Sequence, residues 1–331
     1  MISRFEGKTI LITGGAGFIG SHLARTLISE GAEVIIVDDL STGLLENIQS
    51  LPDPSKVRFH HSKVSQLKEF HSLVEASDYL IHLAAAVGVE LVVKSPIRTI
   101  HTNLHETEIV LEAAEKVNCP ILLASTSEVY GKSQASEFSE EDDLIIGPPQ
   151  LGRWSYACSK LMDEFLCMAY AKEKKLPIRI VRFFNTVGPG QTGQHGMVLP
   201  RFIKSAMTGE AIRVFGDGSQ TRCFCHVHDS VEALCRLMDI PKSQNEVVNI
   251  GSTEEITILD LAQLVKSELK SASKIEFIQY EEAYSSGFQD MQRRKPKIDK
   301  LKEITGFTPK HNIISIIKDT AKFLSDHPHH N

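Results

Sequence analysis

The sequence predicts an α/β protein: a doubly wound parallel sheet in the first half, followed by a smaller mixed α/β region. Three observations carry that expectation. Short, almost wholly apolar runs rich in β-branched residues recur between residues 9 and 181. Stretches with helical apolar spacing lie between them. The first run ends in a glycine-rich turn that opens into such a stretch. Strands that are apolar at every position are covered on both faces, which is the condition of a parallel sheet sandwiched by helices. Right-handed crossovers then wind the sheet.

In chain order, the strands read as Thr9–Thr13 (TILIT), Glu33–Val37 (EVIIV), Tyr79–Leu83 (YLIHL), Ile121–Ser125 (ILLAS) and Ile178–Val181 (IRIV). The helices between them read as Ser21–Glu30, Pro96–Lys116 and Ser155–Lys174. After about Asn185 the alternation fades into short strands, helices and turns such as Phe215–Ser219 (FGDGS). Residues 1–185 are therefore expected to form the nucleotide-binding domain, and 186–331 the substrate-binding region. The run Val247–Ile250 (VVNI) is strand-like enough to return about 228–255 to the first domain.

Composition narrows the function classes. A chain of 331 residues allows about two domains. Hydrophobic residues at 42% and charged residues at 24% are ordinary globular usage. A net charge of -6 leaves no broad basic face, so neither nucleic acid nor an anionic membrane is expected as a partner. No window approaches the ~18 unbroken apolar residues of a membrane span. The opening MISRFEGKTILITGG lacks the apolar stretch and cleavage site of a signal peptide. None of the six cysteines forms a CxxC pair, so reduced thiols in a cytoplasmic protein are expected, and no metal. The His-rich end, His327–Asn331, reads as a frayed tail.

The glycine turn is the first chemical motif. The first strand runs into Gly14-Gly15-Ala16-Gly17-Phe18-Ile19-Gly20 and then a helix. Gly14 makes the tight turn, Gly17 lets backbone amides approach a pyrophosphate, and Gly20 lets the helix pack on the strand. The positive end of the helix faces the anion. The second strand ends in Asp38-Asp39, where a carboxylate can bond both ribose hydroxyls and repels a 2′-phosphate. This is a Rossmann-type dinucleotide site that favours NAD over NADP.

The second motif is Tyr156 with Lys160. Four apart on a predicted helix, they share one face. A free phenol, with a pKa of about 10, is a poor base near neutrality. The neighbouring ammonium and an oxidised nicotinamide are expected to favour the phenolate, which then takes the proton of a substrate hydroxyl while hydride leaves the same carbon. Tyr130 competes for that role but is expected to pack, as is Cys158.

The ordered series TGGAGFIG (13–20), DDLSTG (38–43), HLAA (82–85), STSEVYG (125–131) and YACSK (156–160) resembles the extended short-chain dehydrogenase/reductase family, in particular its nucleotide-sugar epimerases, decarboxylases and dehydratases. The resemblance spans about residues 8–316. It implies NAD beside Gly14, Gly17, Phe18 and Ile19; its adenosine ribose at Asp38, with Asp39, Leu40, Ser41 and Gly43 around it; and Val64, Leu83, Ala84, Ala85, Asn103, Ser125, Tyr156, Lys160 and Phe183 along the rest. Many relatives carry Gly-Asp after the third strand. Here Ser62-Lys63 stands there, and a lysine cannot accept from adenine.

The resemblance also implies a catalytic set of Thr126, Ser127, Glu128, Tyr156 and Lys160. A nucleotide sugar is implied at Val87, Thr126, Asn185, Val198, Leu199, Arg201, Val214, Phe215, Arg222 and Arg294, with the two latter arginines serving phosphates. All such enzymes oxidise C4 to a ketone. Thr126-Ser127-Glu128 with Arg294-Lys295-Pro296 is what UDP-glucuronate decarboxylases show. Dehydratases usually have an Asp where Ser127 stands. The stretches Trp154–Lys160, Gly188–Val198 and Gly287–Arg294 look more like the branch holding UDP-glucuronate 4-epimerases. That branch often has Arg at the positions of Gly190 and Gln194, so a neutral UDP-hexose is as open as a hexuronate. The first reading is an NAD-dependent nucleotide-sugar 4-epimerase. The alternative is UDP-glucuronate decarboxylase. A 4,6-dehydratase and a non-catalytic NAD-sensing module stand behind them. A cytoplasmic homodimer joined through the helices Pro96–Lys116 and Ser155–Lys174 is implied.

Overall fold

The structure is a computed structural model that describes residues 3–86, 88, 95–193, 197–279 and 291–327. Strands β1 (Thr9–Thr13), β2 (Glu33–Asp38), β3 (Val57–His61), β4 (Tyr79–His82), β5 (Ile121–Thr126) and β6 (Ile178–Phe183) join β7 (Glu246–Ile250) in one seven-stranded sheet of order β7-β6-β5-β4-β1-β2-β3. Every neighbouring pair in it is parallel. Successive side chains of a strand point to opposite faces, so each strand feeds two cores. Ile10 and Ile12 of β1 lie in one cluster, with Leu23, Ala24 and Leu27 of helix α1 (Phe18–Ser29). Leu11, between them, lies in the other.

Two short helices, α2 (Leu45–Gln49) and α3 (Phe70–Glu75), precede α4 (Pro96–Val117) and α5 (Trp154–Lys174). Helices α4 and α5 pack side by side on the Leu11 face, through Val110, Leu111, Cys167 and Ala171. The strand order reverses at β1–β4. The carboxyl ends of those strands flank a crevice there, the usual ligand position in such a sheet.

The remaining elements are α6 (Val198–Thr208), α7 (Val227–Asp239), α8 (Ile258–Glu268), α9 (Asp299–Thr305) and α10 (Ile313–Asp326), with three two-stranded sheets. Helix α7 and strand β7 belong to the Ile10 core. Helices α6, α8 and α10 close a separate core around Leu199, Phe202, Ile212 and Leu261. The second core stands over the strand ends and supplies the far wall of the crevice. A small aromatic cluster of Tyr130, Phe138 and Phe184 fills the space behind the site. Cys158 is exposed, which corrects the expectation that it packs: two residues on from Tyr156, it points off the buried face of α5.

Candidate active site

A cleft of about 650 Å³ runs along the carboxyl ends of the sheet. Its nucleotide end is built from backbone. Gly14 has φ 75, and a Cβ there would stand 2.7 Å from the Ala84 amide nitrogen, so the turn closes against the end of β4 only as glycine. At Gly20 a Cβ would collide with the Gly14 carbonyl. The Asp38 carboxylate is fixed by the amides of Ala16 and Leu40, at 2.9 and 2.8 Å. Burial raises its pKa, and those two amides partly offset the rise. Gly14, Gly17, Phe18, Ile19, Asp38, Asp39, Ser41 and Val64 line this end. An amide-rimmed anion cradle next to a fixed carboxylate fits the pyrophosphate and ribose of NAD.

Leu40 and Gly43 act indirectly. The Leu40 amide orients Asp38, and a Cβ at Gly43 would stand 3.0 Å from the Asp38 Oδ1. Asn103 is buried in α4. It accepts from the Ala86 amide at 2.7 Å and donates to Ser159 Oγ at 3.0 Å, tying the loop after β4 to the helix of Tyr156. Leu83, Ala84 and Ala85 line the cleft beside Ser125 and Phe183. Val87 lies outside the described residues.

The chemical end is built from side chains. Thr126, at the end of β5, caps the following turn by accepting from the Glu128 amide at 3.2 Å. Its hydroxyl also shares a hydrogen bond with the Tyr156 phenol. The Glu128 carboxylate is held by Arg294 at 2.7 Å and Arg153 at 3.2 Å. Burial works to raise the Glu128 pKa, but Arg294, Arg153 and Arg222 overcome it and hold the carboxyl at about 2. Ser127 Oγ, on the same turn, is buried and finds no hydrogen-bond partner among the described residues.

Lys160 departs from the simplest expectation. Its Nζ donates to Asp163 Oδ2 at 2.8 Å, and both side chains are buried. Burial raises the Tyr156 pKa, Glu128 and Asp163 add to the rise, and the Thr126 hydrogen bond and Arg294 oppose it. The Lys160 ammonium is thus paired with a carboxylate of its own, and burial is the first cause of the rise at Tyr156. Tyr130 is buried and structural. Its hydroxyl donates to Asn249 Oδ1 at 2.8 Å and accepts from Arg182 at 3.0 Å, and burial pushes it up to about 12.

On the far wall, Asn185, Val198, Leu199, Arg201, Phe215, Arg222 and Arg294 line the cleft. Arg201 lies over the Phe215 ring at 4.1 Å, and Asn185 Oδ1 accepts from Arg294 at 3.5 Å. Val214 does not reach the cleft: it is a core residue, on the opposite face of its strand from Phe215. Sequence reasoning missed Arg153, which lines the cleft three residues ahead of Tyr156, and Asp163, three residues after Lys160. Helical spacing from the Tyr156–Lys160 pair was the available signal for both.

His226, His228 and His311 form the one three-ligand metal-type grouping among the described residues, with ligand atoms within 4.8 Å. Its geometry does not favour an ion. His226 Nδ1 accepts from the His228 amide at 3.0 Å, so a neutral ring carries its proton on Nε2, where a metal would need the lone pair. A metal-bound histidine donates its other ring N–H instead. The His226 and His311 rings are also stacked, at 4.3 Å.

The comparisons agree with this geometry. Residues 10–251 match the NAD dependent epimerase/dehydratase family. The chain is 41% identical over 320 residues to a UDP-N-acetyl-alpha-D-glucosaminuronate decarboxylase of Bacillus cytotoxicus, covering 96% of this chain and 98% of that one. It is 36% identical to UDP-glucuronic acid decarboxylase 1 of Danio rerio, covering 98% and 74%. The UDP-glucuronic acid 4-epimerase of Bacillus cereus, solved with UDP-glucuronic acid and NAD, superposes with a TM-score of 0.86 at 27% identity, over 96% and 99% of the two chains. No helix among the described residues is long and apolar enough to cross a membrane. With the glycine cradle, the Asp38 carboxylate and Tyr156 in one cleft, and a family match over most of its length, this chain belongs to the NAD-dependent epimerase/dehydratase family.

Proposed function

We propose that the protein is an NAD-dependent decarboxylase of a UDP-linked hexuronate, working through a 4-keto sugar. One observation carries the reading: Glu128 of the Thr126-Ser127-Glu128 turn is clamped by Arg294 and Arg153 in the cleft that Tyr156 lines, and guanidinium groups there have the chemistry to recognise a sugar carboxylate. Relatives named for uronate decarboxylation, aligned over nearly the whole chain, support it. The motifs alone rank epimerisation first; those relatives reverse the order.

The residues divide the work as follows. Bound NAD supplies a hydride acceptor and donor at C4, and a positive charge beside the phenol. Tyr156 takes the C4 hydroxyl proton, with Thr126 holding the same oxygen. The ketone so formed is β to the C6 carboxylate. The C5–C6 bond breaks, carbon dioxide leaves, and the electron pair is delocalised onto O4, where the Tyr156 phenol and Thr126 donate hydrogen bonds. C5 then takes a proton, and Ser127 stands on the adjoining turn to hand it on. Glu128, ionised at neutral pH, keeps Arg294 and Arg153 oriented and offsets their charge, so the substrate carboxylate is held without being over-stabilised. Tyr156 returns its proton to O4 as C4 is reduced. Arg222 and Asn185 face the phosphates.

A 4-epimerase remains the second reading, favoured by the fold match to the Bacillus cereus enzyme. Incubation with UDP-glucuronate and with UDP-N-acetylglucosaminuronate separates the two. A product lighter by one carbon dioxide is expected; a product of unchanged mass with C4 inverted would favour the epimerase. We further propose a homodimer in the cytoplasm. All six cysteines are free thiols. Phe165 and Met162 of α5, 65% and 55% exposed, with Ile97 of α4, offer an apolar face to a second copy.

A further inference from the structure

We propose that Asp163 is a positioning residue of this site: it holds the Lys160 ammonium inside the protein and sets how much of that positive charge the Tyr156 phenol feels. The inference rests on Tyr156 as the base of C4 oxidation, a step common to decarboxylation and epimerisation, and not on which of them follows.

Tyr156, Lys160 and Asp163 stand at the first, fifth and eighth positions of one helical face. The Lys160–Asp163 contact is 2.8 Å, with side chains 2% and 0% exposed. Burying two charges in a dry core is unfavourable unless each satisfies the other, so a carboxylate placed here fixes the ammonium in one position. Asp163 also accepts from Thr107 of α4. Thr107 Oγ1 is 3.2 Å from His82 Nε2, and His82 Nδ1 is 2.7 Å from Thr13 Oγ1, at the head of the glycine turn. A buried polar chain thus ties the cofactor cradle to the catalytic lysine.

The groups facing these residues define the electrostatics. Tyr156 faces Glu128, Asp163, Arg294 and the Thr126 hydroxyl. Asp163 faces Lys160, Thr107, Glu164 and the buried Cys167 thiol, whose pKa burial and then Asp163 raise. His82, which also faces Lys160, is held at about 3 by burial and then by that ammonium, and so stays neutral. From the phenol, an ammonium in contact with a carboxylate is close to a neutral pair, and the Asp163 charge pushes the phenol up. Removing that charge while keeping the shape should expose the ammonium and make the phenol more acidic.

Asp163→Asn does this, because the amide oxygen still accepts from Lys160. Two readouts apply. The first is the phenol titration of the NAD-loaded protein without substrate, by absorbance, with the Tyr156→Phe trace subtracted. The second is the pH dependence of the first turnover, followed as reduced cofactor. Both midpoints are expected to fall by about one pH unit in the variant, the low end for one charge at close range. Asp163→Ser, with a smaller acceptor, is read the same way, so a failure of one variant to fold leaves the other to decide. Unmoved or raised midpoints in a folded variant overturn the inference, even if activity drops. Wild-type protein that reduces no cofactor with any UDP-sugar overturns the proposed function instead, and the phenol titration then decides the role of Asp163 alone.

Discussion

The two ends of the cleft are made differently. The nucleotide end is backbone: a glycine turn, the amides of Ala16 and Leu40, and one carboxylate, Asp38, that they fix. Its parts come from the ends of β1, β2 and β4, and at Gly14 and Gly20 an added Cβ would collide with backbone. The sugar end is an array of charged side chains from distant segments, with Glu128, Arg153, Arg222 and Arg294 brought together by separate elements. A backbone cradle recognises what every family member shares. A charge array of long side chains can be rearranged without altering the fold, which makes it the end that the proposed function assigns to the choice of reaction.

Substitutions at each end should therefore fail in different ways, and each can break the contrast. The largest effect is expected where the ends meet. Tyr156→Phe should slow C4 oxidation by about 10³-fold, the range of a positioned general base, with NAD binding retained; stopped-flow absorbance of reduced cofactor measures it. Next, Glu128→Gln should cut carbon dioxide release by about 10²-fold while C4 oxidation survives, because one fixed charge is lost from the sugar end only. Equal loss of both steps would place Glu128 in the first step and undo the division. At the nucleotide end, Asp38→Asn should weaken NAD binding by about 10-fold, the worth of a charge-assisted hydrogen bond, and relax discrimination against NADP; calorimetric titration reads both.

Smaller effects sharpen the contrast. Glu128 is held below its ordinary value, so the stability it contributes is complete above about pH 4.5 and is lost as pH falls toward about 2. The melting-temperature difference between wild type and Glu128→Gln should shrink across that window, and a constant difference would mean that the clamp is not electrostatic. Phe165→Glu should convert a dimer to monomers in sedimentation without changing the chemical step, because the exposed face of α5 lies away from the cleft.

How far the sequence could be read follows the same division. The glycines, Asp38 and the Tyr156–Lys160 pair are legible because local geometry dictates them: a strand-to-helix turn needs glycine, and residues four apart share a helix face. β1, β4 and β5 are legible as unbroken apolar runs. By contrast, β3 (VRFHH) alternates and ends in histidines, because it is an edge strand with half-buried faces. Arg153 and Asp163 carry a helical-spacing signal from Tyr156 and Lys160, but charged side chains on helices are usually solvated, so the spacing alone does not mark them as site residues. Only the packing shows Asp163 dry and Arg153 turned into the cleft. Val214 and Phe215 look equivalent in sequence, but strand alternation sends one to the core and the other to the cleft.

The most direct test of the account follows two atoms of one substrate. A UDP-hexuronate carrying deuterium at C4 and carbon-13 at C6 is turned over by the purified protein, and gas and sugar nucleotide are analysed by mass spectrometry. The account predicts carbon-13 in the released carbon dioxide and deuterium kept at C4 of the product pentose, because hydride leaves and returns within one closed site. Carbon-13 retained in the sugar nucleotide, or deuterium lost to solvent, would contradict it.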